Sequence, residues 1–239
     1  MTRAPAGFVR IDCDEGEFIA HQDIAGRVLA AGLDKPWELV EPRPPGPGTG
    51  RGPRAVVPLP GGPRLLVKQY LRGGVPARWN RERYASPRRF LRELEVGQLA
   101  RAAGLPVGEA LGVVLVPARP GWRAWGMARF IEEAPDLASR LTRERDARVR
   151  EAIWRAALDA VSRWHDAGLD HPDLNLGNLL VRPREDGAGW DIFLVDLDRA
   201  RWLGAPLAAR RRARARARLL RSLRKTCGQP PGSPQEHRA

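Results

Sequence analysis

This sequence of 239 residues has little cysteine, little lysine and no long apolar run. No stretch approaches the roughly 20 consecutive apolar residues that a membrane-spanning helix needs. The first ten residues also lack the apolar core of a signal peptide, so we expect a cytoplasmic protein. The two cysteines, Cys13 and Cys227, are too few for a disulfide framework and lack metal-ligand spacing. They are therefore predicted to be ordinary free thiols.

Acidic residues are a minority, and the basic residues are almost all arginine. The chain has 41 Lys and Arg against 28 Asp and Glu, which gives a net charge of +13. Such a charge indicates contact with a polyanion, which is nucleic acid, phosphorylated lipid or a nucleotide. Because GC-rich codons also favour arginine over lysine, the charge alone does not select among these partners.

The first part of the chain has the pattern of a sheet with one helix. Residues 1–35 look weakly structured apart from a short helix from Asp23 to Ala31, and the Pro- and Gly-dense residues 42–53 are expected to be loop. A longer helix is predicted from Ser86, a residue type suited to a helix N-cap, to Gly104. Strands are predicted at residues 54–59, 65–70, 111–116 and 122–131.

The rest of the chain is mostly helical in its pattern. Helices are predicted at 142–167 and 210–225, with short strands at 179–182 and 192–195. We therefore predict an α+β fold of two lobes, with an antiparallel sheet and one helix in the N-terminal lobe and a mainly helical C-terminal lobe. The predicted domains are residues 1–131, residues 132–228 and a flexible tail at 229–239.

The segment His171-Pro172-Asp173-Leu174-Asn175-Leu176-Gly177-Asn178 fits the catalytic-loop pattern H-x-D-L-x-x-x-N of kinases. In that interpretation Asp173 is the catalytic residue, which takes or orients the proton of the acceptor hydroxyl. Asn178 and Asp196, which ends the apolar strand Ile192–Val195, are the predicted Mg²⁺ ligands, because this ion prefers oxygen donors. Either segment alone is also explained by turn-forming Asp and Asn, but both in this order favour phosphoryl transfer from ATP.

Three further residues are predicted to support this site. His171 braces the catalytic loop through hydrogen bonds, and Asp198 is either a second metal ligand or the partner of Arg199.

Lys68 lies in the middle of a predicted strand, where kinases place a lysine that contacts the nucleotide phosphates and pairs with a helix glutamate. Glu93 is its predicted partner, with Glu95 as the second choice; the alternative is a solvated lysine on a half-exposed strand. Gly50 and Gly52 allow backbone N–H groups to approach phosphates, although a plain flexible loop explains them equally well.

The basic segment Arg210–Lys225 contains no acidic residue and favours a helix, because alanine and arginine are both strong helix formers. One interpretation is a solvated helix face, and another is attraction to an anionic membrane surface. Nucleic acid is not expected as a partner, because no aromatic side chains alternate with the arginines.

Several stretches together resemble the bacterial 3-deoxy-D-manno-octulosonic acid (Kdo) kinase family, a branch of the protein-kinase-like superfamily. The matching pieces are Gly50-Arg51-Gly52, Lys68-Gln69-Tyr70-Leu71-Arg72-Gly73-Gly74, Asn80-Arg81-Glu82-Arg83-Tyr84, Gly104-Leu105-Pro106-Val107, His171-Pro172-Asp173-Leu174-Asn175 and Asp196-Leu197-Asp198-Arg199. The resemblance implies a two-lobed protein-kinase-like fold. It also implies transfer of phosphate from ATP to the 4-hydroxyl of Kdo in a Kdo-bearing lipid A precursor, at the cytoplasmic face of the inner membrane.

Under this hypothesis Arg72, Arg78 and Arg81 lie near the phosphates or the acidic sugar, since an arginine fork matches both groups. Leu176-Gly177-Asn178 is closer to antibiotic-type phosphotransferases than to the family's usual sequence. A kinase for another small alcohol, such as a heptose or an aminoglycoside, is therefore a second hypothesis. A non-catalytic basic module that binds membranes or nucleic acid is the third.

Overall fold

The structure is a computed structural model, and it describes residues 3–40, 53–71 and 82–228. The chain divides into two compact units, Met1–Gln98 with Gly108–Ile131 and Leu99–Val107 with Glu132–Ala239. Residues 99–107 thus belong to the second unit, although the sequence assigned them to the N-terminal lobe. The main chain explains this correction, because Val107 bridges to Leu194, and the Leu194 N–H donates to the Pro106 carbonyl at 3.2 Å.

Some of the sequence predictions fall outside the described residues. These are the tail 229–239, the greater part of the loop 42–53, and the candidate residues Gly50, Gly52, Arg72, Arg78 and Arg81.

The first unit is built on one six-stranded antiparallel sheet. Its strands are β1 (Phe8–Cys13), β2 (Gly16–His21), β3 (Arg54–Pro58), β4 (Arg64–Gln69), β5 (Ala110–Pro117) and β6 (Trp122–Arg129). They lie in the order β1-β2-β5-β6-β4-β3. Helix α1 (Ala25–Ala30) also belongs to this unit, and helix α2 (Arg88–Ala102) begins in it.

Strands β1 and β2 correct the prediction that residues 1–35 are weakly structured. The apolar run of β2 is buried on both sides, because Phe18 and Ala20 enter the core cluster on one face of the sheet and Ile19 enters the cluster on the other. Pairing with β1 and β5 satisfies its main chain. In the sequence, the short apolar run after the turn residues Asp14-Glu15-Gly16 was the available signal for this hairpin.

The two faces of the sheet carry separate apolar clusters. Val28 of α1 packs into one cluster with Leu65, Val67 and Trp125, and all four side chains are fully or almost fully buried. Helix α2 covers the opposite face through Phe90, Leu91 and Leu94, together with Tyr70 and Val113. This packing fixes α2 against the face from which Tyr70 projects.

The second unit contains three helices and two small antiparallel ribbons in its described part. The helices are α3 (Leu137–Arg143), α4 (Ala147–Asp166) and α5 (Ala209–Cys227). Strands β7 (Leu169–Asp170) and β10 (Arg201–Trp202) form one ribbon, and β8 (Leu179–Pro183) and β9 (Trp190–Leu194) form the other. No helix in the described part of the chain is both long and apolar enough to cross a membrane.

The helix predicted at 142–167 is confirmed over Ala147–Asp166 but begins too early, because the chain breaks between α3 and α4. The carboxylate of Asp146 accepts hydrogen bonds from the Arg148 and Val149 N–H groups at 2.8 and 3.4 Å, which caps α4 at its start. Asp136 caps α3 in the same way through the Ser139 N–H at 2.8 Å. An N-cap satisfies N–H groups that have no partner inside a helix, so Asp146 defines a new beginning.

Candidate active site

The β8–β9 ribbon brings together the two acidic motifs that are separate in the sequence. Leu179 pairs with Leu194 in the ladder, and the Val195 N–H donates to the Asn178 carbonyl at 2.9 Å. Asn178 ends the catalytic-loop motif, and Asp196 directly follows Val195. Both motifs therefore meet at the same end of one ribbon within the second unit.

The catalytic loop is held by its own asparagines. The side-chain amides of Asn175 and Asn178 both donate to the Asp173 carbonyl, at 2.9 and 3.1 Å. The Asn175 side-chain oxygen accepts from the Gly177 N–H at 2.9 Å and starts the 3₁₀ turn at Leu176–Asn178. These bonds fix the main chain on both sides of Asp173, whose side chain is exposed, so the carboxylate is accessible to an acceptor hydroxyl.

His171 connects the loop to the second acidic motif. Its ring is buried, and Nε2 lies 3.0 Å from the main-chain oxygen of Asp196. Because a carbonyl only accepts, Nε2 carries the proton and donates. The ring nitrogen Nδ1 is also buried, and it has no hydrogen-bond partner within the described residues. His171 thus lies where a bracing role requires it.

Asp196 adopts an unusual backbone conformation, with φ 63° and ψ 56°. This left-handed region is uncommon for residues other than glycine, and such conformations occur where the surrounding structure enforces them, often at functional sites. The 3₁₀ turn Leu197–Arg199 follows. Within it, Asp198 is half-buried and Arg199 is exposed.

The donors gathered in the second unit fit a magnesium ion that shares its ligands with phosphates. The Asn178 amide nitrogen is engaged with Asp173, which leaves the amide oxygen for a cation, and Asp196 supplies an exposed carboxylate. Within the described ranges, no group of three or more His, Cys, Asp and Glu side chains is arranged to hold a metal. One Asp and one Asn are the protein ligands of the kinase arrangement, in which phosphate oxygens supply further ligands.

In the first unit, Lys68 and Glu93 come together. Lys68 Nζ lies 3.7 Å from Glu93 Oε1, and the glutamate side chain is only 8% exposed. Glu95, the second choice, is exposed on the same helix. Packing of α2 on the sheet directs Glu93 toward β4. The glutamate therefore lies where it can be the charge partner of the lysine on this strand.

Tyr70 is a member of this group that the sequence did not assign to the site. Its hydroxyl donates to Glu93 Oε2 at 2.5 Å, and its ring lies 5.0 Å from Lys68 Nζ. Gly126, which pairs with Lys68 across β4 and β6, makes room for the ring, because a Cβ there would lie 2.5 Å from the Tyr70 hydroxyl. A tyrosine two residues after the lysine, on the same strand face, was the available signal.

Comparison of the sequence with known proteins finds relatives that belong to one kind of kinase. A sequence model of the lipopolysaccharide kinase (Kdo/WaaP) family matches residues 62–236. A 3-deoxy-D-manno-octulosonic acid kinase of Xanthomonas oryzae pv. oryzae is 37% identical over 187 residues, which are 77% of this chain and 70% of the relative. The same-named protein of Xanthomonas campestris pv. campestris is 35% identical over 84% of this chain and 78% of its own length.

Two solved structures share the fold. One is WaaP in complex with acyl carrier protein, with a TM-score of 0.55 and 17% identity over 87% of this chain and 82% of that one. The other is the Rio2 kinase ADP/Mg²⁺–phosphoaspartate complex from Chaetomium thermophilum, with a TM-score of 0.53 and 14% identity over 92% and 66% of the two chains. They confirm the predicted protein-kinase-like fold. Together with the family match, they lead to one conclusion: this chain belongs to the lipopolysaccharide kinase (Kdo/WaaP) family.

Proposed function

We propose that this protein transfers a phosphoryl group from ATP to the 4-hydroxyl of Kdo in a Kdo-bearing lipid A precursor. The observation that carries the proposal is the junction of the two motifs, where Asn178 bonds to Asp173 and His171 bonds to Asp196. Kdo as the acceptor is supported by the match to the lipopolysaccharide kinase family and by the relatives, which are named 3-deoxy-D-manno-octulosonic acid kinases.

Each proposed role follows from the chemistry of a side chain. The exposed Asp173 carboxylate accepts the proton of the sugar hydroxyl as its oxygen attacks phosphorus. Asn178 and Asp196 would hold Mg²⁺, and Lys68, oriented by Glu93, would bind the nucleotide phosphates. When bound, Mg²⁺ neutralises charge on the transferring phosphoryl group.

A transfer assay with labelled ATP and Kdo-bearing lipid A precursor tests the proposal. Asp173→Asn keeps the shape of the side chain but removes its basicity, so we expect kcat to fall at least about 100-fold. Asp159→Asn is the matched control, because Asp159 lies away from the loop on helix α4. The variant and control should unfold at the same temperature as the wild type.

An acceptor panel distinguishes the alternative kinase. Kdo-bearing precursor, a heptose acceptor and an aminoglycoside are offered under identical conditions. Transfer to the heptose or aminoglycoside without transfer to Kdo would overturn the proposed acceptor. If the folded protein transfers phosphate from ATP to none of the three acceptors, the proposal that it is a kinase is overturned. A non-catalytic module predicts the same cellular lipid A core with Asp173→Asn as with the wild type.

We also propose that the protein works peripherally at the cytoplasmic side of the inner membrane, with α5 facing anionic lipid. Five basic residues share the outer face of this helix and are exposed: Arg210, Arg214, Arg221, Arg224 and Lys225. Within the described part of the chain, no ion pair or hydrogen bond engages these five side chains, whereas Arg211 and Arg212 pair with Asp170 and Asp166. Unneutralised cations on one helix face are attracted to an anionic bilayer.

A further inference from the structure

Helix α5 contacts the catalytic loop with its inner face. Ala215, Leu219 and Leu223 on this face are fully buried, and the helix packs against α3 and against the 3₁₀ turn Leu176–Asn178. Two polar contacts join the helix to the loop, one at each end of the segment that contains Asp173.

The first contact satisfies a buried main-chain group of the loop. The Leu176 N–H donates to Ser222 Oγ at 3.2 Å, across 46 residues of sequence. Leu176 is fully buried, so its N–H has to find a protein acceptor. The next two N–H groups, of Gly177 and Asn178, are satisfied by Asn175 inside the loop. Ser222 thus completes a set of bonds that the loop does not complete by itself.

The second contact lies at the beginning of the loop. Arg211 Nη1 is 2.6 Å from Asp170 Oδ2, and the Asp170 side chain is only 8% exposed. A charge-assisted hydrogen bond to a buried carboxylate is stronger than a neutral one. Asp170 directly precedes His171, so this pair holds the main chain from which the histidine reaches Asp196.

We infer that Ser222 and Arg211 are positioning residues for phosphoryl transfer, with α5 clamping the catalytic loop at Leu176 and Asp170. Neither side chain touches the reacting groups; each fixes main chain that carries His171, Asp173 and Asn178. This inference rests on the proposed function. It assigns to the C-terminal helix a role in turnover that is separate from any contact of its outer face with lipid.

Ser222→Ala tests the clamp at Leu176. Alanine is a strong helix former, so the helix remains while the acceptor is lost. We expect kcat to fall about 5-fold or more, as one lost hydrogen bond allows, with the KM for ATP unchanged. Ser222→Thr retains a hydroxyl and should restore kcat. Ser162→Ala is the matched control, because Ser162 is exposed on α4 and its loss should leave kcat unchanged.

Arg211 is tested by a corresponding pair of variants. Arg211→Gln should lower kcat while the KM for ATP stays constant, and Arg211→Lys, which preserves the charge opposite Asp170, should recover most of the activity. Equal kcat in Arg211→Gln and wild type would show that Arg211 is not a positioning residue.

Amide hydrogen exchange separates the clamp from the catalytic proposal, since it needs no substrate. We expect the Leu176 N–H to exchange about 5-fold faster in Ser222→Ala than in wild type or Ser162→Ala, with the thermal unfolding midpoint lowered by only a few degrees. Exchange and kcat that both match wild type would overturn the inference. A wild type inactive on every acceptor, with faster exchange in Ser222→Ala, would overturn the proposed function while the clamp contact stands.

Discussion

At the scale of single residues, the group around Glu93 shows how one buried carboxylate is oriented from two sides. Lys68 lies on β4 and Tyr70 follows directly after that strand, and each approaches a different carboxylate oxygen. Under the proposed function the lysine would supply the charge for phosphate, while the tyrosine hydroxyl limits the rotation of the glutamate. A buried carboxylate needs such partners, because burial without them carries a large desolvation penalty.

Removing the tyrosine hydroxyl should weaken nucleotide binding. In Tyr70→Phe the Glu93 carboxylate loses one hydrogen bond, so we expect the KM for ATP to rise about 5-fold with a smaller change in kcat. Gly126→Ala should have a similar effect, because the added Cβ displaces the Tyr70 ring. Steady-state kinetics measure both. Gly26→Ala is the control, since a Cβ there meets no atom within 4 Å, and an unchanged KM in Tyr70→Phe would contradict this role.

His165 should make the protein less stable in mild acid. Its side chain is buried at the end of α4, and burial is the main cause that lowers its pKa below the ordinary 6.5. The charge of Arg212 lowers the pKa further, and nearby carboxylates oppose this. As the pH falls below 6.5, His165 takes up a proton in the unfolded chain but stays neutral in the native state, so the free energy of unfolding decreases.

Urea unfolding at several pH values between 7.5 and 5 measures this effect. His165→Gln lacks the titrating group, so its free energy of unfolding should decline less than that of the wild type over this range. Parallel pH profiles for the two proteins would show that His165 does not contribute.

At the scale of helices and strands, local patterns predicted the elements that carry their own signals. The catalytic loop and the β8–β9 ribbon follow from turn residues and short apolar runs, and the Lys68 strand from its alternation. The α3–α4 break was missed because apolar periodicity continues across it, and only Asp146 marks the new start. The β1–β2 hairpin was missed because two short strands gain most of their stability from the sheet beside them.

Helix α5 should lose affinity for anionic lipid when its outer face is neutralised. Near an anionic surface each basic residue contributes about 1 kcal/mol, so Arg214→Gln combined with Arg221→Gln should weaken binding roughly 30-fold. Co-sedimentation with phosphatidylglycerol vesicles at low salt measures this. The double variant Arg148→Gln with Arg163→Gln makes the same change in net charge on exposed positions of α4. If both double variants weaken binding equally, the attraction does not belong to α5.

At the scale of the whole molecule, the sequence predicted the two-lobed class and the motif residues, but not the long-range contacts that support them. The Tyr70–Glu93 and Leu176–Ser222 bonds span 23 and 46 residues. Neither bond follows from a local pattern, because each depends on how a helix packs against a distant segment. The assignment of Leu99–Val107 to the second unit has the same origin, since it rests on main-chain bonds to Leu194.

The left-handed backbone of Asp196 sets stability against activity. Glycine adopts this conformation without a steric penalty, whereas alanine in the left-handed region costs about 1–2 kcal/mol. We therefore expect Asp196→Gly to unfold with a higher free energy than Asp196→Ala by about 1 kcal/mol, while both variants lose transfer activity. Denaturant titration and the transfer assay measure the two properties, and a glycine variant less stable than the alanine variant would contradict this account. Among substitutions at position 196, a library screened for heat resistance alone would then retain glycine before alanine and yield folded but inert proteins.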